Sequence, residues 1–265
     1  MPFLLAGEIL THYALEGPAE APVLLLANSL GTNFHVWDPV MAALTAHFRV
    51  LRYDMRGHGL TDATPLPDAL SGYSIPALAG DALALMDGLG IAKAHVCGLS
   101  IGGMVAQHLA AHAPERVDRL ILCDTALLIG PASVWTDRIA GIRRDGLAAI
   151  APGVMARWFT EGFRARAPQI MRGYVNMVAR TTLDGYVGCA LAVRDADLRP
   201  SAKDIVAPTL VLVGDQDPST PPASAHELAA AIPGAKLELI ADASHIPCVE
   251  QPAQMVQLVL AHLAR

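Results

Sequence analysis

The pentapeptide Gly98-Leu99-Ser100-Ile101-Gly102 constrains this chain more than any other stretch. A strand-like run, His95-Val96-Cys97, precedes it. A helical pattern from Ile101 to about His112 follows and stops before Pro114. A strand that turns directly into a helix at a serine must turn tightly, and flanking glycines give room where a Cβ would clash. Such a turn holds the serine in strained dihedrals and pushes its hydroxyl out of the sheet. The helix N-terminus behind it favours developing negative charge.

The rest of the chain supplies the sheet that this turn requires. Val23-Leu24-Leu25-Leu26-Ala27 is a continuous apolar run, as expected of a strand buried on both faces. Phe48–Tyr53, Arg119–Cys123, Thr209–Val213 and Lys236–Ile240 read as further strands. Helical stretches separate them. Ser74 reads as an N-cap with Pro76 in the first turn, Leu78, Ala82, Leu85 and Leu89 share one face, and Gly90 is a plausible stop. Helices are also expected from about Ala223 to Ile232 and Pro252 to Ala264. The alternation predicts a mostly parallel sheet with crossover helices.

One gap breaks the alternation. Between Gly130 and Pro200 no strand appears, and the gap is too long for a structureless loop. It reads as four helices: Val134 to about Arg144, Met155–Phe163, Pro168–Arg180 and Leu183–Arg194. The expected organisation is therefore a core of residues 1–130 and 201–265 with a helical cap, 131–200, inserted over the sheet.

A serine hydroxyl attacks only when a base takes its proton. Where a serine stands on such an elbow, a carboxylate and then a histidine follow it along the chain. That order leaves His226, His245 and His262. His226 and His262 lie in helical stretches and read as surface residues. His245 lies in a loop after a strand, Asp242-Ala243-Ser244-His245-Ile246-Pro247, at the same sheet edge as Ser100. It is the expected base. The acid should orient the imidazole and stabilise its cation. Val213-Gly214-Asp215-Gln216-Asp217-Pro218 offers two carboxylates. Asp217, further past the strand end, is the expected acid; Asp215 is the alternative, with turn stabilisation as its ordinary role. His58, in the turn Asp54-Met55-Arg56-Gly57-His58-Gly59, precedes the serine and reads as structural, with Arg56 and Asp54 tying loops together. An oxyanion would be held by the N–H of Ile101 and one from the loop Asn28-Ser29-Leu30-Gly31-Thr32, where Leu30 is the best candidate.

Composition excludes other classes. At 265 residues with 53% hydrophobic and 17% charged, the chain has ample core and little disposition to disorder. Its formal charge of −6 argues against a nucleic-acid partner. The mean hydropathy is +0.38, but the apolar runs are far shorter than the roughly 20 residues a spanning helix needs. The first seven residues lack the basic region of a signal peptide. Cys97, Cys123, Cys189 and Cys248 show no zinc or CxxC spacing, so reduced, mostly buried thiols in a cytoplasmic protein are expected. No metal or organic cofactor is implied, since no ligand cluster and no dinucleotide fingerprint is present. A homo-oligomer is left open.

With these residues placed, the whole chain resembles the α/β-hydrolase superfamily, and within it the 3-oxoadipate enol-lactonases of the β-ketoadipate pathway. The triad motifs are generic for the superfamily. The narrower likeness rests on Asn28-Ser29-Leu30-Gly31-Thr32 with Trp37-Asp38-Pro39, on Asp54–Gly59, and on the cap motifs Trp135–Ile139, Arg157–Thr160 and Gly185–Ala192. Thr61 departs mildly from the serine common at its position. The resemblance implies an α/β-hydrolase fold and hydrolysis of a small anionic enol-lactone. It implies Ser100 as nucleophile, with an acyl-enzyme or direct water attack both open. Residues 131–200 hold ten Arg, no Lys and six Asp plus Glu, a net +4 against −10 for the rest. A cationic cap over an anionic body could draw a carboxylate to the site. Trp135 is a candidate substrate contact, with a plain core role equally open, and Arg138 is the first cap arginine to test. A carboxylesterase, a cofactor-free perhydrolase and a non-catalytic binding protein are the alternatives.

Overall fold

The computed structural model describes residues 2–66, 68 and 70–264. Met1 and Arg265, which bound the expected core, lie outside the described residues, as do Pro67 and Ala69. Eight strands form one sheet: β1 Phe3–Ala6, β2 Ile9–Glu16, β3 Val23–Ala27, β4 Arg49–Tyr53, β5 Ala94–Leu99, β6 Val117–Cys123, β7 Thr209–Gly214 and β8 Lys236–Ile240, in the order β1-β2-β4-β3-β5-β6-β7-β8. From β4 to β8 every neighbouring pair is parallel; β1–β2 and β2–β4 are antiparallel.

Burial follows position in the sheet. Every residue of β5 and β7 is buried, as expected of central strands between two helical layers, His95 and Thr209 included. The edge strand β8 is mostly exposed and carries Lys236 and Glu238, charges that discourage edge-to-edge pairing. Helices α1 Asp38–Leu44, α2 Ile75–Gly88, α3 Ile101–His112, α9 Pro222–Ala231 and α11 Pro252–Leu263 flank the sheet, with the one-turn α10 Pro247–Glu250 before the last. Ser74 caps α2, its hydroxyl accepting the Ala77 N–H at 3.2 Å.

The chain leaves β3 for β4 on one side and returns to β5 on the other. The carboxyl ends of β3 and β5 therefore border the crevice where strand order reverses, the place where open α/β sheets bind ligands. The Asn28–Thr32 loop and Ser100 both lie there.

Between β6 and β7 run five helices rather than four: α4 Ala132–Asp145, α5 Leu147–Trp158, α6 Glu161–Arg166, α7 Pro168–Ala179 and α8 Leu183–Asp195. The expected single helix from Met155 to Phe163 is two. Phe159 is extended, and Thr160 caps α6 by accepting the Phe163 N–H at 3.2 Å. Helix α5 also begins earlier than expected and carries Pro152 in its interior, a residue that disfavours helix and so masks one. The β1–β2 hairpin and α1 had no counterpart in the sequence expectation. No helix among the described residues is long and apolar enough to cross a membrane. All four cysteines are free and buried.

Candidate active site

Ser100 stands between β5 and α3 with φ 59° and ψ −118°. A non-glycine residue at positive φ is strained, and the surrounding contacts over-determine it. Ser100 N–H donates to the Cys123 carbonyl at 2.9 Å, and its own carbonyl accepts the Thr125 hydroxyl at 2.7 Å. The flanking glycines are required by close approach. A Cβ at Gly98 would lie 2.2 Å from the Gly102 carbonyl oxygen, and one at Gly102 would lie 2.3 Å from that of Ala27.

His245 and Ser100 line the same cavity, of about 560 Å³, with Ser29, Leu30 and Ser219. His245 Nδ1 lies 2.7 Å from Asp217 Oδ2. Asp217 also accepts the Thr220 hydroxyl at 2.6 Å and the Ser219 N–H at 2.7 Å. Burial works to raise the Asp217 carboxyl, but the facing imidazole and these donors outweigh it and hold Asp217 below the usual carboxylate range. Asp215 is exposed and accepts the Ala243 N–H at 3.4 Å, which fits turn stabilisation. His226 is exposed on α9, and His262 on α11 faces the Pro208 carbonyl.

The loop after β3 is held from three sides. Asn28 donates to the Tyr53 carbonyl at 2.7 Å and accepts the Trp37 indole N–H at 2.8 Å. Its carbonyl accepts the Gly102 N–H at 3.1 Å, tying the loop to the turn at Ser100. His58 Nε2 accepts the Gly31 N–H at 2.9 Å, leaving Nδ1 to donate to the Arg56 carbonyl at 3.0 Å. His58 thus holds the loop at a place the sequence did not indicate, the residue after Leu30. Ile101 is the first residue of α3, where a backbone N–H has no intrahelical acceptor. Asp54 accepts N–H groups from Phe34 and Leu60 and faces His12 at 2.7 Å, while Arg56 pairs with Asp81 through two nitrogens.

The inserted helices supply the far wall of the cavity. Trp135 is half-buried and donates its indole N–H to the Ile129 carbonyl at 2.7 Å. Arg138 lies between two rings, 5.2 Å from the Trp135 centroid and 5.5 Å from that of Tyr186, and donates to the Tyr186 hydroxyl. Arg157, which the sequence reading did not single out as a site residue, also lines the cavity. Burial and the Arg138 charge push its guanidinium below the usual range. Neither arginine makes an ion pair among the described residues, whereas Arg144, Arg194 and Arg199 are paired with neighbouring aspartates.

Two further acids were also missed. Asp124 and Glu250 are buried close to the histidine and its partner. Asp124, Asp217 and His245 present donor atoms within 4.8 Å of one another, the one such group among the described residues. Its shortest contact, 2.7 Å from Nδ1 to Oδ2, is a hydrogen-bond distance, and the Asp217 oxygens are occupied by protein donors, so the set does not fit a cation.

This architecture has close relatives. The 3-oxoadipate enol-lactonase 2 of Acinetobacter baylyi is 39% identical over 262 residues, covering 99% of this chain and 96% of that protein. A putative carbamate hydrolase, RutD, of Variovorax paradoxus is 29% identical, covering 96% of each. The crystal structure of the enol-lactonase from Burkholderia xenovorans LB400 superposes with a TM-score of 0.95 at 40% identity, covering 100% of both chains. Residues 22–252 match the alpha/beta hydrolase fold family. The chain belongs to that family and is a hydrolase similar over its whole length to the 3-oxoadipate enol-lactonases.

Proposed function

We propose that this protein hydrolyses 3-oxoadipate enol-lactone to 3-oxoadipate, through Ser100, His245 and Asp217. The observation that carries the substrate is the pair Arg138 and Arg157. Two guanidiniums line a largely apolar cavity beside the serine, and neither makes an ion pair among the described residues. A small lactone bearing a carboxylate arm supplies that counter-charge while its ring fills the apolar space. The whole-chain identity to enol-lactonases of 39–40% supports the same choice over the 29% likeness to the putative carbamate hydrolase.

Ser100 Oγ attacks the lactone carbonyl as His245 Nε2 takes its proton, and Asp217 stabilises the imidazolium from Nδ1. The N–H groups of Leu30 and Ile101 hold the oxyanion, at about 3 to 4 kcal/mol per donor. The ring C–O bond then breaks, and the leaving enolate takes a proton and tautomerises to the ketone. That step makes ring opening effectively irreversible. Water activated by His245 cleaves the acyl-enzyme. Direct attack by such a water would use the same groups. The inserted helices act as the cap, and Trp135 frames the carboxylate end by holding Arg138 in place. In this reading the protein works in the cytoplasm, where its buried thiols stay reduced.

The test is turnover of freshly generated enol-lactone, followed by loss of its ultraviolet absorbance, for wild type and Ser100→Ala. Rapid loss that collapses in the variant supports the reading. Turnover of simple aryl esters without turnover of the lactone discards the lactonase and keeps the hydrolase.

A further inference from the structure

We propose that Asp124 is a neutral carboxyl that donates its Oδ2 proton to Asp217, fixing and tempering the acid that faces His245. Asp124 is the first residue after β6, fully buried, with φ 44°. Its backbone N–H donates to the Leu212 carbonyl and its Oδ1 accepts the Gly214 N–H, both at 2.9 Å. These two bonds clamp the side chain against the end of β7, three residues before Asp217. Its Oδ2 is buried and has no hydrogen-bond partner among the described residues. One carboxylate oxygen of Asp124 lies within 4.8 Å of the facing carboxylate of Asp217 and ring nitrogen of His245.

Two carboxylates this close in a buried site do not both ionise. The proton goes to the one with fewer donors. Asp217 receives the imidazole, the Thr220 hydroxyl and the Ser219 N–H, whereas Asp124 receives one backbone N–H. The groups facing Asp124 are Asp217, His245, Glu250 and the thiols of Cys123 and Cys248, so the carboxylates on either side disfavour its ionisation. Burial first, and then the Asp217 charge, push Asp124 well above the usual carboxylate range, while Asp217 falls below it. A proton donated to Asp217 draws off part of its charge and holds its rotamer. Asp124 is thus a positioning residue that acts through Asp217. The strained backbone at Asp124 lies beside Thr125, whose hydroxyl holds Ser100, so one turn steadies both the nucleophile and the acid.

The inference rests on the Ser100–His245–Asp217 relay, and its test separates the two. Asp124→Asn keeps both functions, since its oxygen accepts from Gly214 and its amide donates to Asp217. Asp124→Ala removes both. The expected result is kcat/KM of Asp124→Asn within about threefold of wild type, with an unmoved acid limb. Asp124→Ala should fall about tenfold, as for loss of one hydrogen bond to a charged acceptor, with its acid limb displaced to higher pH. Asp124→Asn losing as much as Asp217→Asn would overturn the inference, because an ionised Asp124 is then required. So would a wild-type pH profile in Asp124→Ala.

A second measurement does not depend on activity and covers an Asp124→Ala that fails to fold. A carboxyl kept protonated in the fold costs stability as pH rises above about 4, where the unfolded chain releases that proton. The Tm of Asp124→Asn should therefore gain on wild type steadily between pH 4 and 8. A constant gap would mean Asp124 is ionised in the native state. Loss of the relay itself would show instead as full activity in Ser100→Ala.

Discussion

Glu250 Oε2 accepts the Ser244 N–H at 2.6 Å, one residue before His245, while Oε1 takes both the N–H and hydroxyl of Thr160 at 2.9 and 2.7 Å. A single buried carboxylate therefore fastens the histidine loop to the break between α5 and α6. Two more bonds reinforce the seam: the Ser244 hydroxyl donates to the Arg157 carbonyl at 3.1 Å, and the Ile246 N–H to that of Trp158 at 3.2 Å. The inserted helices and the His245 loop thus share one anchor. Glu250→Ala leaves three donors without an acceptor in a buried seam. The expected cost is about 2–4 kcal/mol, a Tm loss of about 5–15 °C for a chain of this size. At temperatures where the variant is folded, kcat should fall more than KM rises, because the loop that sets His245 is loosened while the arginine wall is intact. Calorimetry and steady-state kinetics on one preparation check both parts.

The two carboxylates after β7 separate cleanly by experiment. Asp217 touches the imidazole and Asp215 does not. Asp217→Asn should lower kcat by about 10⁴-fold, since it no longer holds the imidazole in the correct tautomer or stabilises its cation. Asp215→Asn should stay within about twofold, as expected of an exposed residue away from the site. The reverse pattern would move the acid to Asp215.

The sequence exposed the parts of this site that are local and hid those made by register. The turn at Ser100, the β3 loop and the loop at His245 each combine a strand end with glycine or polar residues, and each was readable in isolation. Asp124 was not, because nothing around it in Leu122-Cys123-Asp124-Thr125 marks it; it meets Asp217 only through the pairing of β6 with β7. Glu250 drew no reading from the sequence, because its partner Thr160 is brought to it only by the fold, across 90 residues. The β1–β2 hairpin was missed for a different reason. Phe3–Ala6 is short, lies at the chain start and turns back at Gly7-Glu8, so its apolar residues show neither clear alternation nor a long run. The split between α5 and α6 is masked by Trp158-Phe159, which continues an apolar face across the break, although Thr160 is a good cap.

Carboxylate recognition should depend on Arg138 in a way that lysine cannot replace. Its guanidinium is planar, lies between the Trp135 and Tyr186 rings and bonds the tyrosine hydroxyl. Arg138→Ala should raise KM for the anionic lactone by about tenfold to a hundredfold, as for loss of a hydrogen bond to a charged group, with a smaller change in kcat. Arg138→Lys should recover little of this, because an ammonium neither stacks nor forks. Turnover of a neutral aryl acetate should be nearly unaffected. An equal loss on charged and neutral substrates would make Arg138 a packing residue and remove the basis for choosing an anionic substrate.

His58 ties the pH dependence of stability to the Leu30 loop. Burial pulls its imidazole below the usual range, against the opposing pull of the Arg56 carbonyl and Asp54. The neutral ring is needed, since Nε2 must accept the Gly31 N–H. A histidine kept neutral in the fold contributes fully above the unfolded value of about 6.5. That contribution is lost as pH falls, because the unfolded chain then binds a proton the folded one refuses. His58→Ala removes this dependence and leaves the Gly31 N–H unpaired, at a cost of about 1–3 kcal/mol. Its Tm deficit relative to wild type should therefore be largest near pH 7.5 and shrink toward pH 5. If the Leu30 N–H is an oxyanion donor as proposed, kcat at pH 7.5 should fall by about tenfold to a hundredfold, less than the loss of a whole donor, because that N–H is displaced rather than deleted. A deficit that instead grows toward pH 5 would show that His58 is charged in the native protein. Its contact with Gly31 would then be something other than an accepted hydrogen bond.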